Sequence, residues 1–256
     1  MAVWIGTSGW QYRDWRGRFY AADLPVRLWL EEYSKAFATV ESNNAFYRLP
    51  ERHTFEDWAE RTPDDFVMAV KVSRYLTHIR RLREPEEPVE RFLDRVRGLG
   101  RKLGPVLLQL PPQLRCDAAR LADTLAEFPS GLRVAVEFRH NSWYTSEIRG
   151  LLERYGAALC LADRRGRLTP IWRTADWTYL RFHEGRARPR PSYGRTALNS
   201  WARRLADGWS DADCFVFFNN DHRGCAPRDA ARFADACERA GLEPSRAPSP
   251  RSIRAG

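Results

Sequence analysis

Residues 133–139 read Arg-Val-Ala-Val-Glu-Phe-Arg, and their alternation between two kinds of side chain decides the fold. One face of this predicted strand carries bulky apolar groups, which are Val134, Val136 and Phe138. The opposite face carries small or charged groups, which are Ala135, Glu137 and Arg139. Successive strand residues point to opposite sides of a sheet, so the apolar face suits packing under helices. The charged face would then line the axis of a barrel.

Seven further runs have the same strand-like character, and stretches with helical period separate most of them. The eight runs cover residues 3–8, 38–43, 66–73, 106–110, 133–139, 157–163, 177–183 and 214–219. Strands that alternate with helices indicate parallel pairing with right-handed crossovers. A spacing of roughly 30 residues per unit suits a (β/α)8 barrel, so we predict an α/β fold with a single TIM barrel over residues 1–242. The connection over residues 164–176 has the weakest helical pattern.

The length and composition fit this single domain followed by a short tail. The chain has 256 residues, and 43% of them are hydrophobic, which is ample for a sizeable core. A doubly wound sheet is the alternative fold, but no Gly-x-Gly-x-x-Gly turn follows a strand to support it. Residues 243–256 are rich in proline, serine and arginine, so we predict a disordered basic tail there.

The net charge of +9 suggests an anionic partner without identifying it. Of the 42 basic residues only three are lysine, which leaves 39 arginines, and genome-wide base composition explains such a skew as easily as function. A positive field attracts anions, including nucleic acid. The loop at residues 7–20 interleaves aromatic and arginine side chains. It is either a stacking platform over the barrel mouth or a loop that packs its own rings on the rim.

Polar residues recur in the inward phase of several strands, and they come late in each strand. On the other predicted strands these positions are Glu41 and Asn43, Lys71, Gln109, and Arg181 and His183. Charged groups inside a barrel are costly unless they are paired or face a ligand. In a TIM barrel, active sites lie at the C-terminal ends of the strands. We therefore predict a functional site at that mouth, and the alternative is a paired network that merely fills the barrel.

These residue types suit acid–base chemistry on an anion. The predicted catalytic residues are Glu41, Lys71, Glu137 and His183. The predicted substrate-binding residues are Trp10, Asn43, Gln109, Arg139, His140, Asp163, Arg181, Asn219, Asn220 and Asp221. Arginine binds carboxylate or phosphate, and lysine becomes a general base or a Schiff-base amine when its pKa is depressed. A glutamate would need a raised pKa to act as a base, and flanking arginines oppose that.

Cofactors and a membrane anchor are not predicted. No compact metal motif is present, so no metal site is assigned, although a divalent ion remains the alternative. No window approaches the ~20 apolar residues of a membrane span. The cysteines are five in number and scattered, without a Cys-x-x-Cys pair, which favours a reduced, cytoplasmic chain over a disulfide framework.

Eight short segments, taken in order, resemble the YecE-like family of uncharacterised TIM-barrel proteins, the domain of unknown function numbered seventy-two. The segments are residues 6–10, 39–50, 71–78, 109–112, 136–143, 162–163, 181–183 and 218–221. The resemblance covers about residues 3–241 and implies the barrel fold, but it implies little about activity. The chain departs from the family pattern at Ala45, where the family has a hydroxyl residue, and at Glu184, where it has glycine.

Three hypotheses for function follow. The first is an enzyme that acts on a small phosphorylated or carboxylated substrate at the barrel mouth, as a hydrolase, lyase or isomerase. The second is a nucleic-acid-binding or phosphodiester-processing protein. The third is a non-catalytic barrel that binds a small ligand.

Overall fold

A computed structural model describes residues 1–164 and 167–253, and its centre is a barrel of eight parallel strands. The strands are β1 (Val3–Thr7), β2 (Thr39–Ser42), β3 (Val67–Lys71), β4 (Leu103–Gln109), β5 (Val134–Glu137), β6 (Ala158–Arg164), β7 (Arg167–Leu168), β8 (Trp177–Phe182) and β9 (Asp213–Phe218). Their order around the barrel is β1-β9-β8-β6-β5-β4-β3-β2, and the two-residue β7 pairs antiparallel with β6 outside it. The predicted (β/α)8 barrel is confirmed.

Helices between the strands cover the outside of the barrel. They are α1 (Trp29–Ala36), α2 (Asn44–Tyr47), α3 (Arg52–Glu60), α4 (Glu86–Val96), α5 (Ala118–Ala126), α6 (Ser146–Arg154), α7 (Arg195–Trp209) and α8 (Cys225–Arg239). Local signals start several of them: the Asp117 carboxylate accepts from the backbone N–H of Arg120 at the start of α5. Within the described ranges, none of these helices is long and apolar enough to cross a membrane.

The connection over residues 164–176 forms the β7 hairpin, and its described residues include no helix. Threonine hydroxyls fasten this segment to β6. The Thr169 hydroxyl accepts from the backbone N–H of Ala162, and the Thr174 hydroxyl accepts from that of Leu159. The segment lacks an apolar helical period, so it pairs with strand β6 instead of packing as a helix. Residues 165 and 166 lie outside the described ranges.

The interior of the barrel is layered along its axis, and the predicted phase of the strands is confirmed. Towards the N-terminal end and in the middle of the barrel, the inward side chains form a separate apolar cluster. Its members are Ala69, Leu107, Ala135, Ala158, Cys160, Trp177, Tyr179, Phe215 and Phe217. At the N-terminal end, Trp4 stacks on Phe215 with ring centroids 6.0 Å apart, and Trp177 meets Phe215 edge-on at 6.1 Å. We call Trp4, Trp177 and Phe215 the barrel floor.

The barrel closes between β1 and β2 through a seam in which the described residues form no regular strand ladder. A single parallel bridge joins Ser8 to Glu41 at the top of the seam. Below it, the Tyr33 hydroxyl accepts from the backbone N–H of Thr7 at 2.9 Å and donates to the carbonyl of Thr39 at 3.1 Å. The close approach requires Gly6, because a Cβ there would lie 2.2 Å from the carbonyl oxygen of Thr39.

The chain after α8 completes the lower part of this seam. The backbone of Val3 bonds both Glu243 and Ser245, and the backbone N–H of Ala38 donates to the carbonyl of Arg246. The Arg246 guanidinium also bonds Asp65. Residues 243–253 lie in the segment that we predicted as a disordered tail. They are packed on the barrel, because β1 and β2 leave backbone groups unpaired that this segment can bond. Residues 254–256 lie outside the described ranges, and the prediction of disorder stays a prediction there.

Candidate functional site

Arg181 on β8 lies at the centre of a buried group of side chains near the C-terminal end of the barrel, which we call the charged cluster. It comprises Glu41, Glu137, Arg139, Tyr179, Arg181 and His183. Its Nη1 lies 2.6 Å from Glu137 Oε2 on β5, and its Nη2 lies 2.7 Å from Glu41 Oε1 on β2. The Tyr179 hydroxyl donates to the second oxygen of Glu41 at 2.7 Å. Arg181 is only 1% exposed and both glutamates are 0% exposed, so this guanidinium compensates two fully buried carboxylates.

Glu137 extends the cluster towards the barrel rim. Its Oε1 lies 2.6 Å from Nε of Arg139 and 3.2 Å from Nε2 of His183. The side-chain amide of Asn219 donates to Nδ1 of His183 at 3.0 Å. Nε2 also lies 3.4 Å from Nη2 of Arg139. The amide donor on Nδ1 and the closer carboxylate beside Nε2 favour the tautomer with the ring proton on Nε2. The period-two phase of three separate strands thus brings five predicted site residues into direct contact.

The surroundings hold both glutamates in the ionised form. Burial alone raises the pKa of Glu41, but the pKa is lowered overall, because the charge of Arg181, followed by Ser8, the Tyr179 hydroxyl and Lys71, outweighs the effect of burial. For Glu137, burial is again opposed by Arg181, His183 and Arg139, and the pKa falls well below its usual range. Carboxylates held in this way are weak proton acceptors at neutral pH. Their clear role is to balance the two arginines.

Lys71, the last residue of β3, differs from the two arginines because no carboxylate pairs with it. Within residues 1–164 and 167–253, its Nζ has no hydrogen-bond or ion-pair partner, and it lies 3.8 Å from the centre of the Phe46 ring. The residue is 8% exposed. Burial, followed by the charge of Arg181, lowers the pKa of Lys71 to about 7. The amine therefore changes its protonation state near neutral pH.

Two neutral predicted residues border the cluster. Gln109 Oε1 lies 3.4 Å from Nη2 of Arg139 and 3.5 Å from Nη1 of Arg181, so it weakly bridges the two guanidinium groups. Asn43 Oδ1 is buried, and no partner for it exists among the described residues. A buried acceptor without a partner is costly, and a bound donor would relieve that cost.

Asp163 lies apart from the charged cluster, in a neighbouring cavity of about 730 Å³. Residues that line this cavity include Asp163, Arg186, Tyr193, Thr196, Trp201 and Arg204. The carboxylate accepts from the indole N–H of Trp201 at 2.7 Å, and burial raises its pKa. Asp163 is thus at a strand end, as expected, but none of its side-chain partners belongs to the charged cluster.

Four other predicted residues have partners outside the cluster. His140 Nδ1 accepts from the backbone N–H of Ser142, Asn220 donates to Asp229, Asp221 accepts from the Trp15 indole, and Trp10 packs edge-on against Trp58. Trp10, Trp15 and Tyr20 in the first loop are all buried, so they pack on the rim, as one of our two interpretations predicts. These rings are not exposed for stacking on a base.

Two residues near the mouth were not predicted as site residues. Tyr179 lies in the inward phase of β8 with Arg181, and this phase was a usable signal. Phe46 lies in the short helix α2, and no pattern in the sequence predicts its contact with Lys71.

In the described part of the chain, no three His, Cys, Asp or Glu side chains are grouped so that they could hold a metal ion. The cluster fits this result, since two arginines already occupy the oxygens of Glu137. A cation would have to displace them.

Comparison with known sequences gives a consistent match. The family described as "Protein of unknown function DUF72" matches residues 4–253. The UPF0759 protein YecE of Escherichia coli K12 is 31% identical over 146 residues, which are 56% of this chain and 50% of that protein. The aligned part therefore spans about half the length of this curated relative.

Solved structures agree with the barrel. A DUF72 family protein from Thermotoga maritima is similar with a TM-score of 0.82 and 27% identity, covering 93% of this chain and 100% of the other. A DUF72 family protein from Enterococcus faecalis has a TM-score of 0.77 at 20% identity, over 92% of this chain and 95% of the other. The second comparison bears on the fold alone.

Proposed function

Since the chain belongs to the DUF72 family, whose description names no activity, we propose a function from the barrel mouth itself. The protein is an enzyme that binds a small carboxylated or phosphorylated substrate at the C-terminal mouth and transfers protons there. Its partner is a small anion, and no cofactor takes part in the proposal. A cytoplasmic location belongs to the same proposal, because the five cysteines are unpaired, as in a reducing compartment.

One observation carries this proposal, which is the unpaired amine of Lys71 beside a cluster whose other charges are matched. Glu41 and Glu137 balance Arg181 and Arg139, so a protonated Lys71 leaves one positive charge in excess. An anion that enters the mouth would neutralise it. In a poorly hydrated site such a charge interaction is much stronger than it is in water.

The roles of the side chains follow from their surroundings. Arg139 is the more exposed guanidinium, with 19% of its side chain accessible, and it binds the substrate anion. Lys71 gives or takes a proton, since its pKa of about 7 matches neutral conditions. Glu137 holds Arg139 in place, and Arg181 lowers the pKa of Lys71 through its charge. His183, kept neutral by a pKa lowered to about 4 through burial, orients Glu137.

The binding step is tested by thermal unfolding with inorganic phosphate, oxalate and a panel of phosphorylated and carboxylated metabolites. We expect at least one anion to raise the Tm of the wild-type protein, and the Arg139→Gln variant to lose most of that rise. Arg149→Gln is the matched control, because Arg149 pairs with Glu153 on the outer surface of α6. An equal response of the two variants would contradict the role of Arg139.

Turnover is tested by mass spectrometry of mixtures with the anions that bind. A product that forms with the wild-type protein and not with Lys71→Met supports the enzyme. Tight binding without any product would favour the non-catalytic barrel instead. Binding of oligonucleotides that falls steeply with salt, with no response to small anions, would favour the nucleic-acid hypothesis.

A further inference from the structure

The chain contains only three lysines, and their surroundings differ in an informative way. Lys35 is exposed on α1, where its Nζ lies 3.1 Å from Glu32. Lys102 is buried, and its Nζ donates to the carbonyls of Ala59 and Thr62 at 2.5 and 2.6 Å. Lys71 is buried without such partners among the described residues. A buried amine that donates to no carbonyl keeps its lone pair free once it is deprotonated.

The neighbours of Lys71 favour a neutral, nucleophilic amine. The Phe46 ring keeps water from one side of Nζ, and its face also attracts the ammonium form, so the preference for the neutral amine comes from burial and from the arginines. Arg181 and Arg139 add positive charge near Nζ, and Glu41 and Glu137, which are bound to these arginines, oppose the lowering of the Lys71 pKa without cancelling it. Lysine amines become nucleophiles when they are desolvated or lie near another cation. Both conditions hold here.

We propose that Lys71 forms a Schiff base with a small aldehyde or ketone that also carries a carboxylate or phosphate group. The inference rests on the proposed function and narrows it, since it names the substrate class and makes the catalysis covalent. Arg139 holds the anionic group, and the carbonyl carbon meets Nζ. A carbonyl compound with no anionic group lacks the contact with Arg139.

The bond changes balance without a cofactor. The lone pair of the neutral Nζ attacks the carbonyl carbon, a C–N bond forms, and a proton moves from nitrogen to the carbonyl oxygen. The proton that Lys71 released to the solvent on becoming neutral returns to this oxygen, which then leaves as a water molecule. The product is a protonated imine, whose positive charge replaces the ammonium charge. Glu41 and Glu137 stabilise that charge as they would stabilise a protonated Lys71.

The experiment traps the imine with sodium cyanoborohydride at neutral pH. Glyoxylate and acetaldehyde are the paired probes, because they are small aldehydes that differ in a carboxylate against a methyl group. Reduction adds to the protein the mass of the probe minus one oxygen atom. Peptide mapping then assigns the label to Lys35, Lys71 or Lys102. At pH 7 an ordinary exposed lysine is about four parts in ten thousand unprotonated and Lys71 is about half unprotonated, so labelling at Lys71 should be on the order of a thousandfold faster than at Lys35.

The variants separate the two proposals. Lys71→Arg should abolish the glyoxylate label, whereas Lys35→Arg should leave it unchanged. Arg139→Gln should slow labelling by glyoxylate about tenfold and leave that by acetaldehyde unaffected. Equal labelling of all three lysines, or none at Lys71, overturns the Schiff base. If anions still raise the Tm and are turned over in that case, the proposed function survives, and if they do not, both proposals fail.

Discussion

The barrel floor and the charged cluster occupy the same interior, yet opposite physical chemistry holds them together. Trp177 and Arg181 lie on one strand in the same phase, four residues apart. At the floor, Trp177 packs on aromatic rings and gains from the area that it buries. In the cluster, Arg181 is compensated by two carboxylates. Depth along the strand thus separates the part that stabilises the barrel from the part that is available for chemistry.

The barrel floor and the charged cluster should respond differently to the substitution of a single side chain. An aromatic floor loses free energy in proportion to the atoms removed and the cavity left behind. A paired cluster is asymmetric, because removing one partner leaves a buried charge without compensation. The following substitutions break or sharpen this comparison.

Replacement of Arg181 by Met should have the largest effect. Glu41 and Glu137 would lose their shared guanidinium, and we expect the free energy of unfolding at pH 7 to fall by about 5 kcal/mol. Without that partner, burial raises the pKa of the Glu41 carboxyl above its value in the unfolded chain, while Glu137 keeps its ion pair with Arg139. The deficit relative to wild type should therefore shrink as the pH falls below about 5 and the Glu41 carboxyl becomes protonated. Urea unfolding from pH 4 to 7 measures this, and a deficit that does not depend on pH would contradict it.

Replacement of Phe215 by Ala should cost nearly as much stability but leave the mouth intact. Phe215 is 3% exposed, and removal of its ring should lower the free energy of unfolding by about 3–4 kcal/mol. Since the floor bears no charge contact to Lys71, the glyoxylate label at Lys71 should form at the wild-type rate. Urea unfolding and the trapping rate are measured on the same preparation. A large fall in trapping at full folding would show that the two layers are coupled.

Replacement of Lys71 by Met should change the pH dependence of stability. The pKa of Lys71 is about 7 in the folded protein and about 10.4 in an unfolded chain, so the unfolded state binds more protons between these values. The free energy of unfolding of the wild-type protein should therefore rise relative to that of the variant as the pH rises from 7 to 10, by up to about 1.4 kcal/mol per pH unit. Below pH 7 the variant should be the more stable protein. Parallel stability curves across this pH range would refute the lowered pKa.

Replacement of Arg133 by Met should have the smallest effect. Its guanidinium lies over the rings of Trp177 and Phe215 and pairs with Asp213 at 2.9 Å, but 40% of its side chain is exposed. An ion pair in that position contributes about 1 kcal/mol or less. Urea unfolding should resolve it from Arg181→Met easily. A loss of stability as large as that of Arg181→Met would contradict the expectation that this exposed ion pair contributes less than the buried ion pairs at the C-terminal end of the barrel.

Much of the site follows from a rule that acts locally. Side chains alternate with period two along each strand, so Glu41, Glu137 and Arg181 could be placed inside the barrel from the sequence. The alternation continues one or two residues past the strand ends, where His183 and Arg139 keep the inward phase. His140 and Asn220 have the opposite phase, and they contact Ser142 and Asp229 instead.

The sequence could not predict which charged side chains pair with one another. Two glutamates face Lys71, Arg139 and Arg181, and which cation is left unpaired depends on the distances between four strands. The packed segment after residue 242 was equally hidden, because its composition is that of a tail. Its backbone contacts arise from the gap that β1 and β2 leave.

The seam has a consequence for the order in which the molecule is made. The backbone groups of Val3 and Ala38, near the start of the chain, are satisfied by Glu243, Ser245 and Arg246. During synthesis, every barrel strand leaves the ribosome before these residues do. The nascent barrel therefore carries an open edge with unpaired backbone groups until residues 243–246 have emerged, and such an edge can bind another strand. A chain stalled before residue 243 should be captured by chaperones, whereas one released a few residues later closes on itself.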